Sequence, residues 1–374
     1  MFFERLNGKY QLILLVIFIC IPLKLQAELI IENKEKLDYL VEGMEATLSK
    51  ITITRATLNS IEILNRPGRT LCEIYNETTW VSSGKQFKYE NNLTQLFDGK
   101  LPEEGKPGQT RVPIGKEFSI HAYNGEVLCT HSPSKNKVTI RNLEDSPIGN
   151  LNQSIKQRPL FPGLSIMGLS LRDIVSGKSW YKRPEDRGLT TKRIVRCAGT
   201  RNYKGSEVHI IEMIASWIEV NGFPKTRRYE ILVDTAKGFT IPFTSVEYDF
   251  KGVHSKFDTT ETECIEYNDG LWGPKKTVRT LLLITEKGEG KSVTTINIER
   301  MEFNKSIEER ELRIALDDKP SVECQITGLN NLCRQESIDN MLIQINKALC
   351  EKGFRNPLPI VKKIQKENTD SQKY

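Results

Sequence analysis

The sequence predicts a mainly β protein of the α+β class, in which an antiparallel sheet curves around helices. From residue 71 to residue 316, strand-like runs follow one another with short turns between them, which is typical of antiparallel meanders. Two runs, 208–218 and 281–284, are apolar on both faces and therefore need cover on both sides. A helical pattern over residues 33–51 and an irregular segment over 143–190 can supply that cover.

The composition excludes several classes of protein. The chain has 374 residues, of which 38% are hydrophobic and 27% are charged, and its formal net charge is +6. A disordered chain would carry few aromatic residues, whereas this one has 14 Phe, 11 Tyr and 4 Trp. A multi-pass membrane protein would need repeated apolar runs of about 20 residues. The positive charge is small for this length and forms no dense basic stripe, which argues against nucleic acid as a partner.

Residues 1–27 have the pattern of a secretory signal peptide. Arg5 and Lys9 precede an apolar stretch, 12–23, that is short for a bilayer-spanning helix, and Ala27 is a small residue at the cleavage position. The alternative is an uncleaved anchor. Cleavage predicts an exported protein of the periplasm or cell envelope, with no integral membrane span once the signal is removed.

After the leader, residues 33–51 place apolar side chains at three- and four-residue spacing, which predicts an amphipathic helix that buries one face. Gly43 weakens this helix slightly. Strands are then predicted at 71–81 and 85–90, joined through the turn 82–84.

A hairpin is predicted around Asn124-Gly125, because Asn-Gly between strand-like runs is the strongest short hairpin signal. With a two-residue loop, His121 faces Leu128 and His131 faces Phe118. Side chains alternate along a strand, so the two histidines point to opposite faces and are not expected to share a metal ion. A further strand is predicted at 137–141.

Residues 143–190 interrupt the strands and are predicted to form loops around one or two short helices, one of them within the apolar stretch 164–175. After Pro320 an apolar stripe with helical spacing returns, and the last residues form a polar tail. The predicted domains are the signal peptide 1–27, a β-rich domain 28–320, and a helical extension with its tail, 321–374.

Between the irregular segment and Pro320, strands are predicted at 191–197, 206–218, 226–234, 241–250, 260–267, 276–286, 292–303 and 309–316.

Removal of the leader leaves seven cysteines, so at least one thiol stays unpaired or pairs between chains. Cys324 and Cys333 are close enough in sequence to favour a disulfide, and the alternative is small buried thiols in strands. The cysteine spacings are wide and resemble no zinc pattern. No metal site and no cofactor are predicted.

No catalytic residue is predicted. Both Gly-Lys-Ser sequences, at 177–179 and 290–292, lack the first glycine of a P-loop, and Ser165 misses the spacing of a nucleophile elbow. The remaining candidates are large apolar residues that could line a cavity for an apolar ligand, and the alternative for each is ordinary core. These cavity candidates are Trp80, Phe87, Met213, Trp217, Leu48 and Met44.

Several segments resemble the outer-membrane lipoprotein-sorting carriers of bacterial envelopes (the LolA/LolB-like group), particularly their larger secreted members. The resemblance covers roughly residues 33–316, and the chain differs from the small carriers in its length, its cysteines and its C-terminal helix. The segments are KLDYLVEGMEATLSKI, WVSSGKQFKYE, FSIHAYNGEVLCTHSPSKNKVTI, RYEILVDTAKGFTIPFTSVEY and YNDGLWGPKKT.

The resemblance implies an unclosed half-barrel, in which a strongly curved antiparallel sheet carries helices on its concave face. In that family the gap between sheet and helices receives acyl chains, and a helix closes over them. Here the helix 33–51 or the stretch 164–175 would serve as the lid.

The sequence therefore predicts an exported, non-enzymatic envelope protein that binds an apolar ligand, a lipid or a lipoprotein acyl chain, between the curved sheet and the helices. The alternative is an envelope sensor or scaffold that binds a protein partner through the same sheet. A secreted hydrolase is the weakest interpretation, because the sequence shows no set of nucleophile and base.

Overall fold

The computed structural model describes most of the chain after residue 27. The predicted signal peptide, 1–27, and Cys333 lie outside the described residues, as do residues 363–374. The described residues are 28–65, 72–97, 112–142, 164, 170–176, 189–218, 224–250, 253–268, 270–285, 288–316, 321–326 and 338–362.

The described chain begins with a short strand and the helix α1 (Lys34–Ser49), which confirms the helix predicted over 33–51. Asn33 precedes the helix in a left-handed conformation (φ 54°), and its Nδ2 donates to the carbonyl oxygen of Cys197 at 2.8 Å. Six strands then form an antiparallel meander. The strands of this first part are β1 (Glu28–Glu32), β2 (Ile53–Asn65), β3 (Cys72–Ser83), β4 (Gln86–Phe97), β5 (Val112–Tyr123), β6 (Val127–Ser132) and β7 (Lys137–Asn142).

A second antiparallel meander follows, and its last strand pairs with β2, so that both meanders belong to one sheet. This sheet has fifteen strands in the described part of the chain, and it curves without closing into a barrel, which confirms the predicted half-barrel. The strands of the second meander are β8 (Leu189–Tyr203), β9 (Ser206–Ile218), β10 (Pro224–Asp234), β11 (Thr240–Phe250), β12 (Val253–Glu266), β13 (Trp272–Thr285) and β14 (Gly288–Phe303).

The strand predicted at 309–316 is wrong over its first half. Glu308 and Glu311 form a capping box there, in which each side chain accepts a backbone N–H of the other residue, and the chain turns into a short 3-10 helix. The sequence pattern also leaves β1 and β2 unpredicted. The remaining short elements are the 3-10 helix Glu309–Leu312, β15 (Ile314–Leu316), β16 (Ser321–Cys324) and β17 (Ile360–Lys362).

The two edges of the large sheet are its shortest strands. β1 pairs in parallel with β8 at one edge, and β16 pairs in parallel with β7 at the other. All other pairings in this sheet are antiparallel across the described residues. Short edge strands limit the backbone that is left for uncontrolled pairing with another chain.

The hairpin between β5 and β6 has a longer loop than the sequence predicts. Asn124 Oδ1 accepts from two backbone amides of the loop, at 2.9 and 2.7 Å, and holds three residues in the turn. His121 therefore pairs with Thr130 and His131 with Ile120, two positions away from the predicted partners. A shift of two residues preserves the alternation of side chains, so the prediction that these histidines point to opposite faces is correct.

Helices cover both faces of the sheet. α1 and the short helix α2 (Leu171–Val175) pack on the concave face, whereas the helix α3 (Ile338–Glu351) packs on the opposite face of β5, β6 and β7. Neighbouring residues of β5 show the division, because Tyr123 packs with concave-face residues and Ala122 packs with α3. The sheet is thus the middle layer, with different helices on its two sides.

The described parts of the connection from β7 to β8 lie on the concave face. These strands are twelve positions apart in the sheet, which is about 58 Å at ~4.8 Å per strand. The described parts of the connection are Leu164, which packs near Trp80, and α2, which packs near α1. The predicted short helix within 164–175 is confirmed.

The turn between β10 and β11 holds α1 against the sheet. Phe239 in this turn has a left-handed backbone (φ 59°), and its ring packs edge-on against Tyr39 of α1 with the ring centroids 5.5 Å apart. A Cβ atom added at Gly43 would lie 2.1 Å from two atoms of the same ring. Gly43 is therefore the point at which the helix admits the Phe239 ring.

Gly43→Ala is expected to destabilise the protein, although alanine favours a helix by about 1 kcal/mol over glycine. The added methyl group overlaps the Phe239 ring, and overpacking of this kind costs about 1–3 kcal/mol. In a Phe239→Ala background the same change should be stabilising. Urea unfolding followed by circular dichroism measures both effects, and an identical effect in the two backgrounds would contradict the contact.

Glu302 joins three basic side chains beside the 3-10 helix. Its carboxylate accepts from Lys305 Nζ and Arg300 Nη2, each at 2.8 Å, and from Arg55 Nη1 at 3.3 Å. Arg55 also donates to Glu311 at 2.6 Å. The hydrogen bonds from Lys305 and Arg300 are the main causes that lower the pKa of Glu302 to about 2.

The Glu302 cluster is expected to lose its stabilising effect in acid. The folded pKa lies below the ordinary value of 4.5, so the contribution is complete above pH 4.5 and falls as the pH drops from 4.5 towards 2. Glu302→Gln should lower the stability at pH 7 by on the order of 1 kcal/mol. Urea midpoints of both proteins at pH 7 and pH 3 test this, and a difference that does not shrink at pH 3 would refute it.

Candidate ligand-binding site

Two apolar clusters lie side by side on the concave face. The first, called the helix cluster, joins Leu37, Leu40, Val41 and Met44 of α1 to α2 and to buried residues of β8–β11. These four residues form one stripe of α1, as the predicted amphipathic pattern requires. The second, called the aromatic cluster, contains Ile51, Ala56, Trp80, Phe87, Tyr123, Leu128, Leu164, Leu271, Ile298, Met301 and Phe303.

Leu48, in the last turn of α1, connects the two clusters. It is partly buried and packs against members of both. The residues before it in the stripe belong to the helix cluster, and Ile51 after it belongs to the aromatic cluster. The end of α1 is therefore the point where the two apolar surfaces become one.

The predicted cavity residues fall into these clusters. Met44 and Met213 are buried in the helix cluster, Trp80 and Phe87 are buried in the aromatic cluster, and Leu48 lies between them. The backbone of Trp217 pairs with Lys225 on β10 and Thr190 on β8, while its side chain lies outside the described part of the structure. Four of the five described side chains are buried core residues, and Leu48 is partly buried.

The aromatic cluster continues as a row of stacked rings across β3, β4 and β5. The ring centroid of Trp80 lies 5.0 Å from that of Phe87 and 5.6 Å from that of Tyr89, with interplanar angles of 29° and 12°. Tyr89 stacks in turn on His121 at 4.3 Å. The strand registers produce this row, because Trp80 pairs with Tyr89 and Tyr89 pairs with His121.

His121 forms a polar end to this row. Its Nδ1 lies 3.1 Å from Thr130 Oγ1, and its Nε2 lies 3.1 Å from Ser119 Oγ. Burial, followed by the positive charge of Arg141, lowers the pKa of His121 to about 4. Burial raises the pKa of Tyr89 to about 12. Both rings are therefore uncharged at neutral pH.

Sequence reasoning missed Tyr89, His121 and Arg141 as parts of this surface. The alternation of Phe87 and Tyr89 on β4 places both on the face of Trp80, and this signal is present in the sequence. The positions of His121 and Arg141 depend on the registers of three further strands, which the hairpin prediction placed two residues away.

A separate cleft of about 1110 Å³ lies at the N-terminal end of α1. Most of its lining residues have polar or charged side chains, and the predicted cavity residues do not contribute to it. Its histidine, His209, has a pKa lowered by burial and then by the charge of Lys36. The cleft is lined by residues 32–36 with Arg196, Cys197, Ala198, Gly199, Thr200, Glu207 and His209.

Cys324 is buried on β16 within the apolar layer beneath α3. It pairs with Ile140 of β7, which pairs in turn with Cys129 of β6. Cys129 and Cys324 are therefore two strands apart, about 10 Å, which is beyond the reach of a disulfide. The pairing of Cys324 with Cys333 stays a prediction, because Cys333 lies outside the described residues.

Among the described residues, no group of three or more His, Cys, Asp or Glu side chains is arranged to hold a metal ion. None of the helices in the described segments has the length and hydropathy of a membrane-spanning helix.

No protein-family model matches the chain, and no curated protein matches it. Similar solved structures include a putative outer membrane lipoprotein-sorting protein domain from Vibrio parahaemolyticus, with 12% identity, 74% of this chain and 97% of that chain covered, and a TM-score of 0.35. A LolA superfamily protein from Nitrosomonas europaea has 10% identity, coverages of 72% and 94%, and a TM-score of 0.30.

An uncharacterised conserved protein from Thermus thermophilus has 10% identity, coverages of 78% and 99%, and a TM-score of 0.27. The names of the first two structures belong to the group that the sequence motifs resemble. All three TM-scores lie below 0.5, so nothing about ligand, activity or location is inferred from these likenesses.

The His121 ring is expected to titrate near pH 4 instead of near its ordinary value of 6.5. Between these values the unfolded chain binds more protons than the folded one, so the stability falls as the pH drops from 6.5 to 4. An NMR titration of the imidazole signals measures the midpoint. Arg141→Gln should raise it, because the charge of Arg141 is the second cause of the shift. A midpoint near 6.5 in the folded protein would contradict the buried site.

Proposed function

We propose that this protein is exported and binds a long apolar chain, from a lipid or a lipoprotein, between α1 and the concave face of the sheet. The observation that carries the proposal is the position of Leu48, which joins the helix cluster and the aromatic cluster under one end of α1. Together these clusters offer an apolar surface that extends from β8 to β6 under a single helix. The proposed action is binding and release, with no chemical step.

The proposed lid is α1. In the described structure its stripe already occupies the concave face, so a chain enters by replacing part of that stripe. The exchange swaps apolar contacts for apolar contacts, and each buried methylene of the ligand contributes about 0.8 kcal/mol. A chain of about 14 methylenes would then gain roughly 11 kcal/mol, which is enough to compete with the four buried side chains of the helix.

The contacts on the outer side of α1 are easily broken. Glu45 of α1 and Arg172 of α2 form a two-pronged ion pair, in which Arg172 Nη2 donates at 2.5 Å, and both side chains are exposed. Exposed pairs of this kind contribute about 0.2–1 kcal/mol. The packing of the Phe239 ring at Gly43 holds α1 against the sheet more strongly than this ion pair does. Gly43 lies five residues before Leu48. Opening of the proposed lid at its Leu48 end also has to break the hydrogen bond that Asn304 Nδ2 donates to the carbonyl oxygen of Lys50 at 2.7 Å.

A second candidate function is that of an envelope sensor or scaffold that binds a protein partner. Leu29 and Ile31 favour it, because both lie on the edge strand β1 and each is 37% exposed. An exposed edge strand can pair with an extended peptide of a partner. Native mass spectrometry of protein purified from its own envelope separates the two candidates, since a co-purifying lipid is expected only for the first.

Leu48→Asp is expected to abolish uptake of a fluorescent long-chain fatty acid and of the matched fatty alcohol, because a carboxylate would then lie where the two apolar clusters meet. The control is Ser49→Asp, which places the same charge on the exposed side of the same helix turn. Fluorescence titration measures the affinity, and circular dichroism verifies the fold. Unchanged uptake by Leu48→Asp would contradict the proposed path.

Met213→Asp gives a second test at the other end of the path. It should also abolish uptake, while Ile214→Asp, one residue along β9 and on the opposite face, should bind like the original protein. If neither probe binds the unaltered protein and no lipid co-purifies with it, the chain-binding function is wrong.

A further inference from the structure

Arg141 lies at the end of β7 with its side chain on the concave face. Its Cα pairs with that of Leu128, a member of the aromatic cluster, and residues directly opposite in an antiparallel pair point to the same side. The charge of Arg141 also acts on the rings of Tyr89 and His121, which places the guanidinium close to the polar end of the stacked row.

The guanidinium lacks an acceptor where it is most buried. Nε of Arg141 is shielded from solvent, and no hydrogen bond is found for it within the described part of the chain. A buried donor without a partner is unfavourable, and more so when the group is charged. An acceptor that bound at this position would therefore be stabilising.

One acidic residue on which the charge of Arg141 acts is already engaged. The carboxylate of Glu323 on β16 forms an ion pair with Lys137 and accepts from Gln325 Nε2 at 2.9 Å. The hydrogen bonds from Lys137 and Gln325 are the main causes that lower the pKa of Glu323, and the charge of Arg141 adds a smaller effect. Glu323 is thus already paired with Lys137, and no ion pair joins Arg141 to another residue among those that the structure describes.

We propose that Arg141 binds the anionic headgroup of an amphiphile whose chain lies on the aromatic cluster. This inference rests on the proposed function and names its ligand class, a lipid with a carboxylate or phosphate headgroup. A guanidinium binds either group through two parallel hydrogen bonds. The order along the sheet, from the helix cluster through the stacked rings to Arg141, matches the order from chain end to headgroup.

The test compares a long-chain fatty acid with the fatty alcohol of the same length. The unaltered protein should bind the acid about tenfold more tightly, or better, at pH 7 and low salt. Arg141→Gln should remove this preference and leave the affinity for the alcohol within about twofold. Arg141→Lys, which keeps the charge without the two-pronged geometry, should retain part of it. The control is Arg228→Gln, which removes an exposed arginine from β10 and should change neither affinity.

The outcomes separate the two proposals. Equal affinity of the unaltered protein for acid and alcohol, or an acid preference that survives Arg141→Gln, overturns the headgroup site and leaves chain binding intact. Failure of both ligands to bind overturns both proposals. Acetate and inorganic phosphate distinguish a free anion from a headgroup, and displacement of the fatty acid at millimolar acetate or phosphate would overturn the amphiphile in favour of a small-anion site. Circular dichroism of both Arg141 variants shows whether they fold.

Discussion

The packing of α1 against the concave face is the interaction on which the rest of this structure depends. A single curved sheet with apolar residues on both faces would expose one of them to water, at about 25 cal/mol for each Å². The four buried residues of α1 cover β8–β11, and Leu48 extends the cover towards β2 and β14. One helix thereby gives the two meanders a common core on that side.

The edge of the sheet and the helix are mechanically linked. β1 forms the edge, and only Asn33 separates it from α1. The left-handed backbone of Asn33 reverses the chain, and its side chain is bound to the carbonyl of Cys197 on β8. The N-terminal end of α1 is therefore anchored to the sheet through a strand and a hydrogen bond. Its C-terminal end is also bound to the sheet, because Asn304, which follows β14, donates from Nδ2 to the carbonyl oxygen of Lys50 at 2.7 Å, and β2 begins at Ile53.

The opposite face is built differently. There α3 packs over β5–β7 and β16, and the layer contains the buried thiols of Cys129 and Cys324. Burial raises the pKa of the Cys129 thiol well above its ordinary value, so this sulfur stays protonated and behaves as a small apolar group. This layer covers β5–β7 and β16 on their outer side, whereas in the described residues the concave side is covered by α1 and the short helix α2.

Local patterns predicted the helix 33–51, most of the strands and their antiparallel order, because each depends on periodicity and on turns within a few residues. Details that depend on side-chain chemistry or on distant contacts were not predictable in this way. The capping box at Glu308 and Glu311 ended a strand pattern early. The turn that Asn124 stabilises leaves four residues between the paired positions Tyr123 and Leu128 instead of the predicted two, and this moved the register by two.

Two further contacts could not be predicted from the sequence, because they join residues that are far apart along the chain. Gly43 looked like a weak point of the helix, and its reason is the ring of Phe239, which is almost two hundred residues away. Arg141 looked like the end of an ordinary strand, and its role depends on the strands that bring Tyr89 and His121 beside it. The cavity candidates were predicted because they are large and apolar, and five of them lie on the concave side of the sheet. The polar residues at the end of that face, His121 and Arg141, could not be predicted by the same criterion.

The concave face is a filled core when the side chains of α1 cover it. In the proposed function it becomes a binding site when the chain of a ligand replaces some of those side chains. The aromatic rings from Phe87 to His121 are fixed by strand pairing, so they remain in place whether α1 or a ligand covers them. α1 is attached to them through Leu48, which is only partly buried. A fixed surface with a detachable cover suits reversible binding of a chain. In the proposed function, Arg141 at one end of that surface would give the chain a direction, because an anionic end could accept from the guanidinium while the chain contacts the rings.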